Sequence, residues 1–292
     1  MTPLLSDEVF RRTYGSYLCS VKPGLLPMEG RPGTCCVCAG PLKDNYLICR
    51  QCERVRDVIA LTGKPFPLDG LAFLTYAVEG ADLDSAARLM DPRERKGRQA
   101  YTVLKGYKTG GESNPWWPVA VAWVAWFLQR WGPWAAWTDR RDNQEWLWAT
   151  IPSVRSGRKN EHPLHLIVSA VLNTHIEVVL RTTEGAEGRG FNPNLFTCDP
   201  VPHNAPVLLI DDSWTSGGNV LSASVALKTA GASNVNAMIL GRLLNPGSWS
   251  PTREFIDHDG LHLNFGDGLQ PGFDPARSPW TKLVDSKLNP SW

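Results

Sequence analysis

Residues 207–219 read Val-Leu-Leu-Ile-Asp-Asp-Ser-Trp-Thr-Ser-Gly-Gly-Asn. Four apolar residues of strand character run into two adjacent acids, Asp211 and Asp212, and a short loop of small and hydroxylated residues follows. The next run, Val220 to Ala230, has helical character and meets Gly231, a residue suited to stopping it. A buried strand that ends in paired carboxylates and opens into such a loop suits a ribose carrying a 5'-phosphate. The carboxylates can accept hydrogen bonds from the 2'- and 3'-hydroxyls. The amides of the loop Thr215, Ser216, Gly217, Gly218 and Asn219, the hydroxyls of Thr215 and Ser216, and the N-terminus of the following helix can hold the phosphate. Asn219 can also cap that helix. Paired acids after a buried strand occur in other doubly wound folds too, where they bind metal or cap a helix.

Outward from this stretch the chain alternates. Trp146 to Ile151 reads as a buried strand. Residues 161 to 173 have helical spacing, with Leu164, Ile167, Val168, Val171 and Leu172 on one face and Pro163 in the first turn. Ile176 to Leu180 reads as a second strand, Val207 to Ile210 as a third and Val235 to Leu240 as a fourth. Strands alternating with helices imply a parallel sheet with right-handed crossovers, and ligands of such sheets bind beyond the carboxyl ends of the strands. That rule puts Ser153, Arg155, Ser156, Arg158, Arg181 and the stretch from Asp211 to Asn219 on one rim.

Near the N-terminus, Cys35-x-x-Cys38 and Cys49-x-x-Cys52 enclose ten residues. Each pair can present two thiolates to one ion, and two pairs complete a tetrahedral structural zinc site with no open position for water. Gly40 stands where a tight turn is needed, and Leu42, Tyr46 and Leu47 suit a small hairpin. Residues 53 to 60 read as a short helix, and the Pro- and Gly-containing stretch from Thr62 to Gly70 as a linker.

The paired spacing of four of the seven cysteines fits a metal site in a reducing compartment better than a disulfide framework. Net charge is +1, so no global basic excess points to nucleic acid. The longest apolar stretch, Pro118 to Leu128, is too short to span a bilayer, and the acids in the first residues do not suit an export signal. The expectation is a cytoplasmic protein without membrane contact; a homodimer is compatible with the pattern.

The fingerprint at 207–219 resembles that of the type I phosphoribosyltransferases. Ser213 stands where an aliphatic residue is usual, Ser216 where a Thr is, and Asn219 replaces a final Thr. Joined to the N-terminal cysteine pairs, it resembles the ComF family of competence-associated, phosphoribosyltransferase-like proteins. Leu104-Lys105-Gly106-Tyr107-Lys108 is similar to that family's Leu-Lys-Tyr segment near a mobile loop. Ile151 to Arg158 falls where the family has a strand ending in Val-Pro and a basic loop, without the usual continuation at 158–162. Arg181 and Arg189-Gly190-Phe191-Asn192 are similar to its Arg...Arg-x-x-Asn region. The resemblance spans about residues 33 to 242, with gaps.

It implies an α/β fold: a type I phosphoribosyltransferase-like parallel sheet flanked by helices, with a small zinc-ribbon-like module (33–56) and a Trp-rich helical insertion. The phosphoribosyltransferase-like domain would cover 71–245 with a hood at about 115–140, and 246–292 would form an irregular extension. The implied ligand is phosphoribosyl pyrophosphate with magnesium, or a nucleotide. Asp211 and Asp212 would be catalytic, anchoring the ribose and offsetting positive charge that develops as pyrophosphate departs. Ser153, Arg155, Ser156 and Arg158, with Lys159, would hold pyrophosphate. Lys105 or Lys108 on a closing loop would shield the site, with Arg189 nearby. The acceptor, a base or an amine, is not readable. Two other readings stay open: a non-catalytic role in DNA uptake or handling with single-stranded DNA as partner, and a sensor that binds the phosphoribosyl ligand without turnover.

Nine of the thirteen tryptophans fall between Trp116 and Trp148. Trp123, Trp126 and Phe127 have helical spacing, which predicts packing of a helical hood on the sheet; a base-stacking or membrane-interface surface is the alternative. Asp257, His258, Asp259 and His262 read as a polar loop.

Overall fold

The computed structural model describes residues 6–15, 18–19, 21, 32–43, 46–80, 92–109, 111–136, 145–154, 162–185, 190–247 and 250–257. The pyrophosphate-loop candidates Arg155, Ser156, Arg158 and Lys159, together with Arg189, His258, Asp259 and His262, lie outside the described residues.

The central sheet has four parallel strands, β1 (Gly70–Val78), β2 (Leu147–Thr150), β5 (Val207–Trp214) and β6 (Val235–Leu244), in the order β1-β6-β5-β2. A separate antiparallel pair is formed by β3 (Leu180–Thr182) and β4 (Phe196–Cys198). The helices are α1 (Asp7–Tyr14), α2 (Arg50–Thr62), α3 (Pro92–Gly106), α4 (Trp117–Ala136), α5 (Pro163–Val171), α6 (Gly218–Thr229) and α7 (Ser250–Asp257). The fold is therefore α/β with a parallel sheet flanked by helices, as the alternation predicts.

Two apolar layers sandwich the sheet. Ala72, Leu74, Leu208, Ile210, Met238 and Leu240 pack with α1, α3, α4 and α5. Leu71, Phe73, Val207, Leu209, Ala237 and Ile239 pack on the other side with α2, α6, α7 and the cysteines. Burial on both faces explains why β1, β5 and β6 are apolar runs rather than alternating strands. The register pairs Phe73, Ile239 and Asp211 on one side of a break and Thr75, Gly241 and Ser213 on the other, passing over Leu74, Leu240 and Asp212. Past this point the facing changes parity, so that even-numbered Tyr76 and Trp214 join the cysteine-side cluster and Arg242 reaches Cys38.

Several sequence expectations need correction. The strand expected to end at Ile210 continues through both acids to Trp214, because β6 is long enough to pair with it as far as Trp214↔Arg242. Trp214, at a variable position of the fingerprint, is fully buried with its ring edge-on to Phe73. Ile176 to Leu180 is not a sheet strand; Glu177 makes a single parallel bridge to Trp148, and the chain then turns into β3. Strand β1 adds a fourth sheet member where the sequence pattern predicts none. The segment read as a linker is docked: Leu68 is buried, Pro67 accepts a hydrogen bond from Ser224, and Asp69 binds Lys228 and the Val235 amide. The C-terminal extension begins with α7, whose Phe255 packs against Tyr76.

Trp117, Trp123 and Trp126 belong to a helical layer. Trp123, Trp126 and Phe127 of α4 are buried against the sheet, and Trp126 stacks on Phe10 of α1 at 4.1 Å. Burial of each such ring contributes roughly 2–3 kcal/mol, so Trp123 and Trp126 serve the core and offer no face to a base. Arg130, which interrupts the apolar stripe, pairs with Asp7 at 3.5 Å. No helix among the described residues is long and apolar enough to cross a membrane.

Candidate functional site

The acids lie on the part of β5 that β2 does not reach, since pairing between those strands stops at Thr150↔Ile210. Asp212 follows Leu208 and Ile210 onto the face covered by α3, α4 and α5, where the end of α3 and the start of α5 meet it. The Tyr107 hydroxyl donates to Asp212 Oδ2 at 2.7 Å, Lys108 Nζ lies 2.8 Å from the same oxygen, and His162 Nε2 lies 3.7 Å away. Tyr107 is fully buried, and Asp212 is 3% exposed. Asp211 is half-buried, and its Oδ1 accepts the Asp212 amide at 2.9 Å.

These surroundings drive the two acids apart. Burial, then the charge of Asp212, pushes the Asp211 carboxyl well above its ordinary range, against the pull of Lys108 and the Asp212 amide. Burial also opposes ionisation of Asp212, but Lys108, His162 and the Tyr107 hydroxyl together hold it below the usual carboxylate range. Near neutral pH the pair thus holds one ionised carboxylate, Asp212, beside a carboxyl that retains its proton more readily. Burial and the neighbouring Asp212 raise the Tyr107 phenol, which stays a donor.

His162 precedes Pro163 and is the N-cap of α5, its Nδ1 accepting the Leu164 amide at 3.3 Å. A neutral ring so used carries its proton on Nε2, the atom facing Asp212. Burial lowers the His162 pKa first, opposed by Asp212 and assisted by Lys108 and His165, so the neutral ring prevails. Beside it, His165 Nδ1 meets Thr150 Oγ1 at 3.1 Å and Glu177 at 3.5 Å.

The loop after β5 is built by its backbone. Gly217 has φ +78°, and a Cβ there would fall inside the Trp214 indole. Gly217 is the N-cap of α6, which corrects the role expected for Asn219. Gly218 is backed by the Gly190–Phe191 backbone, whose Gly190 carbonyl carbon would lie 2.6 Å from an added Cβ. Asn192 N donates to Ser222 Oγ, which donates to the Gly218 carbonyl, so residues 190–192 brace the first turn of α6. Thr215 is exposed and Ser216 half-buried.

Of the residues named from sequence, the structure brings Lys108 onto Asp212. Lys105 sits in the last turn of α3, with its ammonium over the Tyr101 ring; it is part of a helix end rather than a loop. Arg181 is tied to Asp199 on the β3–β4 hairpin at 3.0 and 2.8 Å, not aimed at the acids. Ser153 is half-buried just past β2. Tyr107 and His162 went unassigned from sequence. Tyr107 stood within the quoted Leu104–Lys108 segment, and His162 could have been found as the residue before a first-turn proline.

The four cysteines converge. The Sγ atoms of Cys35, Cys38, Cys49 and Cys52 all lie within 4.8 Å of one another, a spacing that could hold a metal ion. The first pair lies on a turn closed by the Thr34↔Pro41 bridge, and the second at the start of α2, with Cys49 as its N-cap. The tight turn falls on Ala39 (φ +53°). Gly40 is required for another reason, since Arg242 occupies the place of its Cβ. Leu42 is buried, whereas Tyr46 and Leu47 are exposed and do not pack as hairpin residues. No family model and no curated protein matches this chain.

Proposed function

We propose that this protein binds a 5-phosphoribosyl group, with phosphoribosyl pyrophosphate and its magnesium as substrate, and transfers the group to an acceptor. The observation that carries the reading is the placement of Asp211 and Asp212 on the part of β5 that β2 does not reach, with a glycine loop and a helix start close after them. A ribose diol needs acceptors, and the two carboxyl groups offer them. The 215–218 backbone and the N-terminus of α6 favour a phosphate. As pyrophosphate leaves, positive charge develops on the ribose ring, and the charge of Asp212 would offset it. Lys108 balances Asp212 in the free protein. The chain's own acids are engaged with each other and with Lys108, so magnesium would arrive with the pyrophosphate. The cysteines would hold a structural zinc.

Pyrophosphate release from phosphoribosyl pyrophosphate, screened against bases and amines, tests transfer. A second reading, binding without turnover, draws on the engagement of Asp212 Oδ2 by Tyr107, Lys108 and His162. Ligand binding without pyrophosphate release for any acceptor would select it.

A further inference from the structure

One buried cation joins the cysteine cluster to the loop after the acids. Arg242 of β6 is 8% exposed. Its Nε donates to the Cys38 carbonyl at 2.8 Å, and its Nη2 lies 3.8 Å from Cys38 Sγ. Its Nη1 donates to the carbonyls of Trp214 at 3.1 Å, Thr215 at 3.0 Å and Leu243 at 2.7 Å. Among the described residues no carboxylate pairs with it. A guanidinium removed from water without a counter-ion is costly. Four thiolates around a divalent ion carry a net charge of about −2, which supplies that counter-charge and accepts the N–H···S bond. The cysteines therefore fit a thiolate-bound metal, and Arg242 fits the surroundings of one. The same guanidinium fixes the two carbonyls from which the 215–217 loop departs, and the Gly217 carbonyl receives the Leu221 amide that opens α6.

We propose that Arg242 is a positioning residue that makes the anion-binding loop dependent on metal occupancy of the cysteine cluster. With the metal bound, the thiolate charge holds the guanidinium and the guanidinium holds the Trp214 and Thr215 carbonyls. With the metal gone, nothing holds the four sulfurs together, the Cys38 carbonyl and sulfur that seat the guanidinium are free to shift, and the loop loses its anchor. The functional meaning rests on the phosphoribosyl reading; the coupling itself does not. Lysine at 242 would keep the charge but could not bridge four carbonyls and a sulfur in one plane.

The test compares amide hydrogen exchange of the full chain with zinc bound, after zinc removal, and in the zinc-loaded Arg242→Lys variant. The expected result is that Leu221 exchanges at least about tenfold faster after zinc removal while Leu209 and Ile210 keep their protection, as local opening requires. Arg242→Lys should show the same loss at Leu221 with its zinc retained. Unchanged exchange at Leu221 on zinc removal, or an equal loss at Leu209 and Ile210, overturns the coupling. In the wild type, ribose 5-phosphate should also slow zinc release to a chelator, because coupling between two sites is reciprocal. If the exchange result holds and ribose 5-phosphate has no effect, the phosphoribosyl reading fails and the metal–loop coupling stands.

Discussion

Replacing Asp211 with Asn should stabilise the ligand-free protein, by an amount that grows with pH. Burial beside the charge of Asp212 raises the Asp211 carboxyl well above its ordinary range. In the unfolded chain it titrates near the ordinary value of about 3.9. Between that value and its raised folded value, the native state binds one more proton than the unfolded state. Wild-type stability therefore falls as pH rises through this window, by about 1.4 kcal/mol per pH unit from this group. The favourable contribution is complete below the unfolded pKa and lost as pH passes the folded one. The amide introduced by Asp211→Asn is neutral throughout and keeps an oxygen for the Asp212 amide, so it carries no such slope. Urea unfolding of both proteins from about pH 4, just above the unfolded value, upward gives the difference directly, because m should be the same for both. Stability differences that stay constant across that range would refute the assignment of the retained proton to Asp211.

Tyr107→Phe removes a donor from a buried, ionised carboxylate and should cost about 1.5–3 kcal/mol. Asp212 has a depressed pKa, so its contribution is present above about 3.9 and lost as pH falls through the folded value; acid unfolding of the variant should therefore begin at higher pH. Gly217→Ala should lower stability by about 1–3 kcal/mol from its positive φ alone, with more from the Trp214 contact, as read by thermal unfolding; a neutral substitution would contradict the loop geometry. Cys49→Ser with Cys52→Ser should lose about one zinc per chain by elemental analysis, and wild-type protein purified without metal would overturn the zinc assignment.

The α/β alternation was legible from residue 146 onward because β5, α6 and β6 are separated by clear breaks at Gly217 and Gly231. Strand β1 carries no alternating signal because Gly70–Val78 is buried on both faces, and it follows a Pro/Gly stretch that reads as a linker. Val178 and Val179 suggested a strand, but the antiparallel partner that places the strand at 180–182 comes from residues 196–198, which carry little signal. The acid pair was legible as a pair. Its asymmetry was not, because Tyr107 and Lys108 reach it from 105 and 104 residues away in sequence. Arg242 was invisible for the same reason: Cys38 lies 204 residues away, and only the parity change along β6 turns the side chain toward it.

The most direct test is calorimetric titration of phosphoribosyl pyrophosphate with magnesium into the wild type and into Asp211→Asn/Asp212→Asn. Saturable binding by the wild type that is lost in a folded double variant is the predicted result. Equal affinity in both, or no binding by folded wild-type protein, would contradict the phosphoribosyl site.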